Sequence, residues 1–143
     1  MDYTLLVRQI EALAGEDSWY VPLLANASAA IYGALDDLNW AGFYIVRDGA
    51  LVLGPFQGKV ACIHIPREKG VCGAAWREDR TMRVPDVLAF PGHIACDSAS
   101  RSEIVVPVHA GCEVVAVLDI DSPLPDRFSQ EDQAGLESVV RAL

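Results

Sequence analysis

Apolar positions along the chain change period several times. Leu6, Ile10, Leu13 and Ala14 recur three and four residues apart, which predicts a short opening helix ending near Gly15. Leu24, Ala27, Ile31, Leu35 and Leu38 continue that spacing and predict a second helix, in which Gly33 is a tolerated weak point. From Trp40 to Arg47 the residues become aromatic and β-branched (WAGFYIVR), and Asp48-Gly49 separates them from a second apolar run, Leu51 to Phe56. An Asp-Gly pair between two such runs predicts a β-hairpin. Lys59 to Ile65 (KVACIHI) reads as a third strand stopping at Pro66, Val71 to Glu78 as a short helix after Gly70, and Thr81 to Val84 as a brief strand. Pro85 to Ser102 has no regular period, and loops of that length in compact domains are usually functional or disordered. Glu103 to Val108 and Val114 to Asp121 predict a hairpin about Ala110-Gly111. Ser129 is placed to cap a last helix with Leu136, Val139, Val140 and Leu143 on its apolar face. The order predicts an α+β fold with a central antiparallel sheet flanked by helices. No repeat or linker interrupts it, so residues 1–143 are expected to form a single domain.

Composition narrows the classes. The chain has 143 residues, 52% hydrophobic and 22% charged, which excludes a disordered chain and suffices for a core without disulfides or metal. Eleven basic against 20 acidic residues give a net charge of −9. Such a surface repels phosphate backbones and anionic lipid, so neither nucleic acid nor a membrane is an expected partner. No apolar run reaches the roughly 18 residues of a membrane-spanning helix. Pro22 to Leu38 is broken by Asn26, Ser28, Asp36 and Asp37. The N-terminal stretch lacks the basic start and unbroken apolar run of a secretory signal. A cytoplasmic location is expected, where cysteines are not a disulfide framework.

Four cysteines therefore need another account. Cys62 (KVACIHI) and Cys112 (AGCEV) have the ordinary reading of small core side chains. Cys72 (GVCGAA) sits near a predicted helix N-terminus, where the macrodipole can lower a thiol pKa. Cys96 (GHIACDSAS) is the least core-like, in the polar loop with His93 and Asp97. Cys62, His64, Cys72, His93 and Cys96 are metal-binding residue types, but no C-x-x-C pair is present, and no metal is assigned. Asp119 and Asp121 share one strand face, continuing Val115 and Val117. Acids there are costly if buried without partners. Either the strand end emerges into solvent, or the two acids join Glu103, which begins the neighbouring strand. Trp40 and Tyr44 also share a face, as core or as the wall of a pocket. Aromatics with acids suit a small ligand carrying an ammonium group and an apolar tail.

These residues resemble a known family. LGPFQGKVACIHIP, GVCGAA, GHIACDSASRSEIVVPV and VLDIDS, with Trp40-Ala-Gly-Phe-Tyr44, are similar to the free methionine-(R)-sulfoxide reductases, which are built on a GAF domain. The resemblance covers nearly the whole chain, and the spacings of ten residues from Cys62 to Cys72 and 24 from Cys72 to Cys96 match the family pattern. The resemblance implies that Cys96 is the nucleophile and Cys62 the main resolving cysteine, with Cys72 an alternative or auxiliary partner. It implies that Glu103, Asp119 and Asp121 bind the substrate's ammonium and sulfoxide groups, that Trp40 and Tyr44 pack about the methyl-sulfur end, and that backbone amides of the Cys96 loop hold the carboxylate. It implies no bound cofactor, thioredoxin as external reductant with NADPH supplied through thioredoxin reductase, and a homodimer. Cys112 matches no motif of the family.

The residue types suit that chemistry. Sulfoxide reduction needs a nucleophile at sulfur and a proton on the departing oxygen. A thiolate supplies the first, and a carboxyl kept protonated by burial and by like-charged neighbours supplies the second. Two readings of other classes compete. A non-catalytic GAF sensor of small ligands leaves the three-cysteine pattern unexplained, and a thiol redox switch leaves the acids idle.

Overall fold

The computed structural model describes residues 1–94 and 96–143; Ala95, inside the GHIACDSAS motif, lies outside them. Helices α1 (Tyr3–Glu16) and α2 (Tyr20–Ala34) precede the hairpin β1 (Trp40–Arg47) and β2 (Ala50–Gly58). Then come β3 (His64–Ile65), α3 (Gly70–Glu78), β4 (Met82–Val84) and a 3-10 turn at Val87–Ala89. The hairpin β5 (Ser102–Ala110) and β6 (Glu113–Ser122) leads to α4 (Gln130–Arg141). The strands form one six-stranded sheet in the order β3-β2-β1-β6-β5-β4, and every pair is antiparallel. This is the α+β arrangement the periodicity predicts.

Successive strand residues point to opposite faces, and this sorts the sheet into two unlike surfaces. Ala41 and Phe43 of β1, Ile104 and Val106 of β5, and Leu118 and Ile120 of β6 pack with Leu6, Ile10, Ala27, Ile31, Leu136 and Val139 of α1, α2 and α4. That face is apolar apart from the buried Ser102 and Ser122 at the ends of β5 and β6. The other carries Trp40, Tyr44, Val105 and Val117 against Val71, Cys72 and Ala75 of α3. Glu103, Asp119 and Asp121 alternate onto this second face, because each lies an even number of residues from Val105 or Val117.

Local signals explain most element ends. Asp48 (φ 52°) and Gly49 (φ 78°) both take the left-handed conformation, as the tight hairpin turn requires. Ser129 caps α4 with a capping box: its hydroxyl accepts from the Asp132 amide, and the Asp132 carboxylate accepts from the Ser129 amide. Asp132 also accepts from the Tyr3 hydroxyl at 2.7 Å, which ties α4 to α1.

Three expectations change. The second helix ends at Ala34, so Leu38 lies beyond it; Leu35 turns extended and Asp37 takes φ 60°, which breaks the helix across the two aspartates. Lys59–Ile65 is not one strand: only His64–Ile65 pairs with β2, and the rest is a loop with Val60 and Ile63 exposed. The hairpin turn falls at Gly111-Cys112, so Cys112 is exposed rather than core.

Replacing Ser129 with alanine leaves the Asp132 amide without its acceptor and the Asp132 carboxylate without the hydroxyl donor, while the backbone amide of residue 129 still donates. We expect a loss of about 0.5–2 kcal/mol in urea denaturation, with no change at the sheet's other face. An unchanged midpoint would show that the cap does not stabilise α4.

Candidate active site

The mixed face of the sheet opens into a pocket beneath α3 and the loop after β4. Trp40, Tyr44, Cys72, His93, Cys96, Glu103, Asp119 and Asp121 are among the residues that line it. Its internal space is about 40 Å³. Seven of the eight residues singled out in the sequence thus meet in one place. The eighth, Cys62, is disulfide-bonded to Cys96, with Cα atoms 5.7 Å apart across 34 residues of chain. Neither Cys62 nor Cys96 is an ordinary core residue; both sit half-buried in loops.

The aromatic residues hold the Cys62 loop in place. The Tyr44 hydroxyl donates to the Cys62 carbonyl at 2.9 Å, and Trp40 Nε1 donates to the Lys59 carbonyl at 3.1 Å. Their rings stack at 5.8 Å between centroids, and Trp40 stacks on Phe56 at 5.1 Å. Gly58 enables this approach: at φ 133° it takes a conformation L side chains rarely adopt, and a Cβ there would stand 2.6 Å from the Trp40 ring. These side chains anchor the loop where a strand ladder otherwise would.

The Cys96 loop is anchored from the other side. Asn39 Nδ2 donates to Asp97 Oδ2 and to Ser100 Oγ, each at 3.0 Å. Asp97 Oδ1 accepts from the Ala99 amide at 2.9 Å, closing an Asx turn. That amide, with Asn39 and Lys59, holds the Asp97 carboxyl below its usual range against the opposing effect of burial. The sequence reading passed over Asn39 and Ser100. Asp97-Ser98-Ala99 carries the local signal of an Asx turn, but nothing near Asn39 marks its reach of 58 residues.

The acids are buried together. Register places Glu103 opposite Asp121 and Asp119 opposite Val105. Glu103 and Asp119 are buried and Asp121 is partly so. Burial raises the Glu103 carboxyl well above the ordinary range, and Asp119 and Asp121 raise it further. Burial raises Asp121 likewise, reinforced by Asp119 and Asp97. Asp119 is raised by burial and partly relieved by hydrogen bonds from Glu103 and Cys72. The protons therefore belong to the cluster rather than to single residues. The alternative of a strand end emerging into solvent does not hold for Asp119.

Cys72 reverses an expectation. It lies in the first turn of α3, yet its thiol is raised well above the ordinary range, by burial first and then by Asp119, Glu103 and Asp121. Desolvation and like charge outweigh the helix terminus, so Cys72 is held as a neutral thiol and not a low-pKa thiolate. It is free in this structure, as is Cys112.

Residues 23–143 match the GAF domain family. The chain is 49% identical to the free methionine-R-sulfoxide reductase of Escherichia coli over 141 residues, spanning 99% of this chain and 86% of the relative. The chain belongs to this reductase family of GAF-domain proteins. The fold superposes on the reduced form of fRMsr from Staphylococcus aureus with a TM-score of 0.95 at 48% identity, covering 99% of this chain and 92% of that one. It superposes on the free methionine-R-sulfoxide reductase of Neisseria meningitidis in complex with its substrate with a TM-score of 0.94 at 42% identity, covering 98% and 84%. Among the described residues, no helix is long and apolar enough to cross a membrane.

The raised carboxyls have a consequence for stability. Because folding raises Glu103, Asp119 and Asp121, the folded state holds protons the unfolded state gives up. The stability this contributes is complete below the ordinary carboxylate range of about pH 4 and is lost as pH rises through the raised folded values. Glu103→Gln removes one such group. Its melting temperature should match the parent's in acid and exceed it increasingly as pH rises. A pH-independent difference would contradict the burial account.

Proposed function

We propose that the chain reduces free L-methionine-(R)-sulfoxide to methionine, with Cys96 as nucleophile and Cys62 as resolving cysteine. The observation that carries this reading is the Cys62–Cys96 bond at a pocket whose buried side is three carboxylates, with no lysine or arginine among the lining residues. The names of the Escherichia coli and Neisseria meningitidis relatives point to the same substrate.

The chemistry balances as follows. The Cys96 thiolate attacks the sulfoxide sulfur, and a carboxyl of the cluster protonates the sulfoxide oxygen. That oxygen passes to Cys96, methionine leaves, and Cys96 is a sulfenic acid. The Cys62 thiol condenses with it, forming the disulfide and releasing water. Thioredoxin, kept reduced by NADPH through thioredoxin reductase, returns two electrons and two protons by thiol–disulfide exchange. The net change is one sulfoxide and one dithiol converted to one sulfide, one disulfide and one water. Cys72, buried and with a raised thiol, is the poorer attacking group, which favours Cys62 as the resolving residue.

Glu103, Asp119 and Asp121 would take the α-ammonium and the sulfoxide oxygen, the stacked Trp40 and Tyr44 the methyl-sulfur end, and amides of the Cys96 loop the carboxylate. A homodimer remains the family expectation, in keeping with exposed Trp19, Tyr20 and Val21 at the start of α2.

The test is a coupled assay with thioredoxin, its reductase and NADPH. The free R epimer should be turned over and the free S epimer left unchanged. Cys96→Ser should lose turnover entirely. Cys62→Ser should release one methionine per chain and then stall. Full activity in Cys96→Ser, or equal loss of both phases in Cys62→Ser, would overturn the roles assigned.

Selection of the free amino acid follows from the acids. An N-acetylated R-sulfoxide cannot offer an ammonium and leaves buried carboxylates unpaired, which typically costs a factor of about 10⁴ or more in kcat/KM. Comparable kcat/KM for the free and N-acetylated substrates would contradict this.

A further inference from the structure

The proposed reaction uses the carboxylates but gives the Cys72 thiol no part, although it sits among them. The donor atoms of Cys72, Glu103 and Asp119 all lie within 4.8 Å of one another, and all three residues are buried. Donors held by one tetrahedral zinc ion at about 2.0–2.3 Å stand about 3.3–3.8 Å apart, so side-chain adjustments of at most about an ångström bring these three into range. A second observation points the same way. Asp119 is only 6% exposed, it lines the pocket, and its Oδ1 has no hydrogen-bond partner. A buried acceptor of this kind is matched either by a donor or by a cation.

The lining residues include Asp97, Glu103, Asp119 and Asp121 and no lysine or arginine, so a cation entering the pocket meets no fixed positive charge among them and can take the place of the protons the buried carboxyls share. An ammonium group answers the carboxylates but gains little from a thiol. A borderline or soft divalent cation gains from both, because sulfur ligation is what separates zinc-type ions from magnesium and calcium. His93 lines the same pocket and is the one imidazole there.

We propose that Cys72, Glu103 and Asp119 form a binding site for a zinc-type divalent cation at the buried side of the pocket, with His93 and Asp121 lining the same pocket as further donors. The site differs from a structural zinc centre in having one sulfur and two carboxylates from three separate elements, α3, β5 and β6. Its occupant would cover the acids and so exclude an ammonium ligand. The proposal does not depend on the reductase reading, since it concerns binding by the resting, disulfide form.

Oxidised protein carrying Cys112→Ser gives a clean test, because Cys62 and Cys96 are then bonded and Cys72 is the one free thiol. Titration with Cd²⁺ should produce the ultraviolet band of a cadmium thiolate, saturating at one ion per chain, and Zn²⁺ should displace it. Adding Cys72→Ser should abolish the band. Adding Asp119→Asn or Glu103→Gln should keep the thiol but weaken Cd²⁺ binding by about tenfold or more. Absence of the band in the Cys112→Ser protein would overturn the proposal. So would a band whose affinity is unchanged by both carboxylate substitutions, which would mean capture by a lone thiol.

Discussion

Glu103, Asp119 and Asp121 are held side by side on one sheet face by strand register, and no lysine or arginine lining the pocket answers them. Much of the site's construction serves to make that placement tolerable. The opposite face, packed by α1, α2 and α4, is predominantly apolar and bears the burden of stability. At roughly 1.5–3 kcal/mol for each fully buried large aliphatic or aromatic side chain, a layer containing Phe43, Ile10, Ile31, Leu118, Ile120 and Leu136 can offset several destabilised carboxyls. The division follows from period two on β1, β5 and β6. A one-residue slip in β5 or β6 would turn its acids onto the face packed by α1, α2 and α4 and destroy both faces at once.

The same constraint explains why the cysteines differ. Cys72 lies against the acids, and they make it a poor thiolate despite its place at the start of α3. Cys62 and Cys96 sit in loops anchored to the rim by polar ends of side chains: the Tyr44 hydroxyl and Trp40 indole on one side, Asn39 on the other. Anchoring by a few side-chain hydrogen bonds brings two sulfurs within bonding distance yet leaves the segments outside the sheet ladder. The disulfide at the rim and the raised carboxyls on the buried side are thus held by different parts of the fold.

The strands and caps were legible because their signals are local. WAGFYIVR with Asp48-Gly49 marks β1 and its turn, and Ser129 with Asp132 marks the start of α4. The shared face of Asp119 and Asp121 followed from spacing alone. The loop at 59–63 was not legible, because an apolar run such as KVACI has the composition of a strand. What prevents pairing there is the grip of Trp40 and Tyr44 on the Lys59 and Cys62 carbonyls, which composition cannot show. Leu38 fits the helical period, but Asp36 and Asp37 end the helix first. The depth of Asp119, the raised thiol of Cys72 and the reach of Asn39 depend on what folds over them from distant sequence.

The most direct measurement is peptide mapping of the reduced protein after one equivalent of free methionine-R-sulfoxide without external reductant, with remaining thiols alkylated at quench. The account predicts a Cys62–Cys96 link with Cys72 and Cys112 alkylated. A link from Cys96 to Cys72, or four alkylated cysteines with methionine produced, would contradict it.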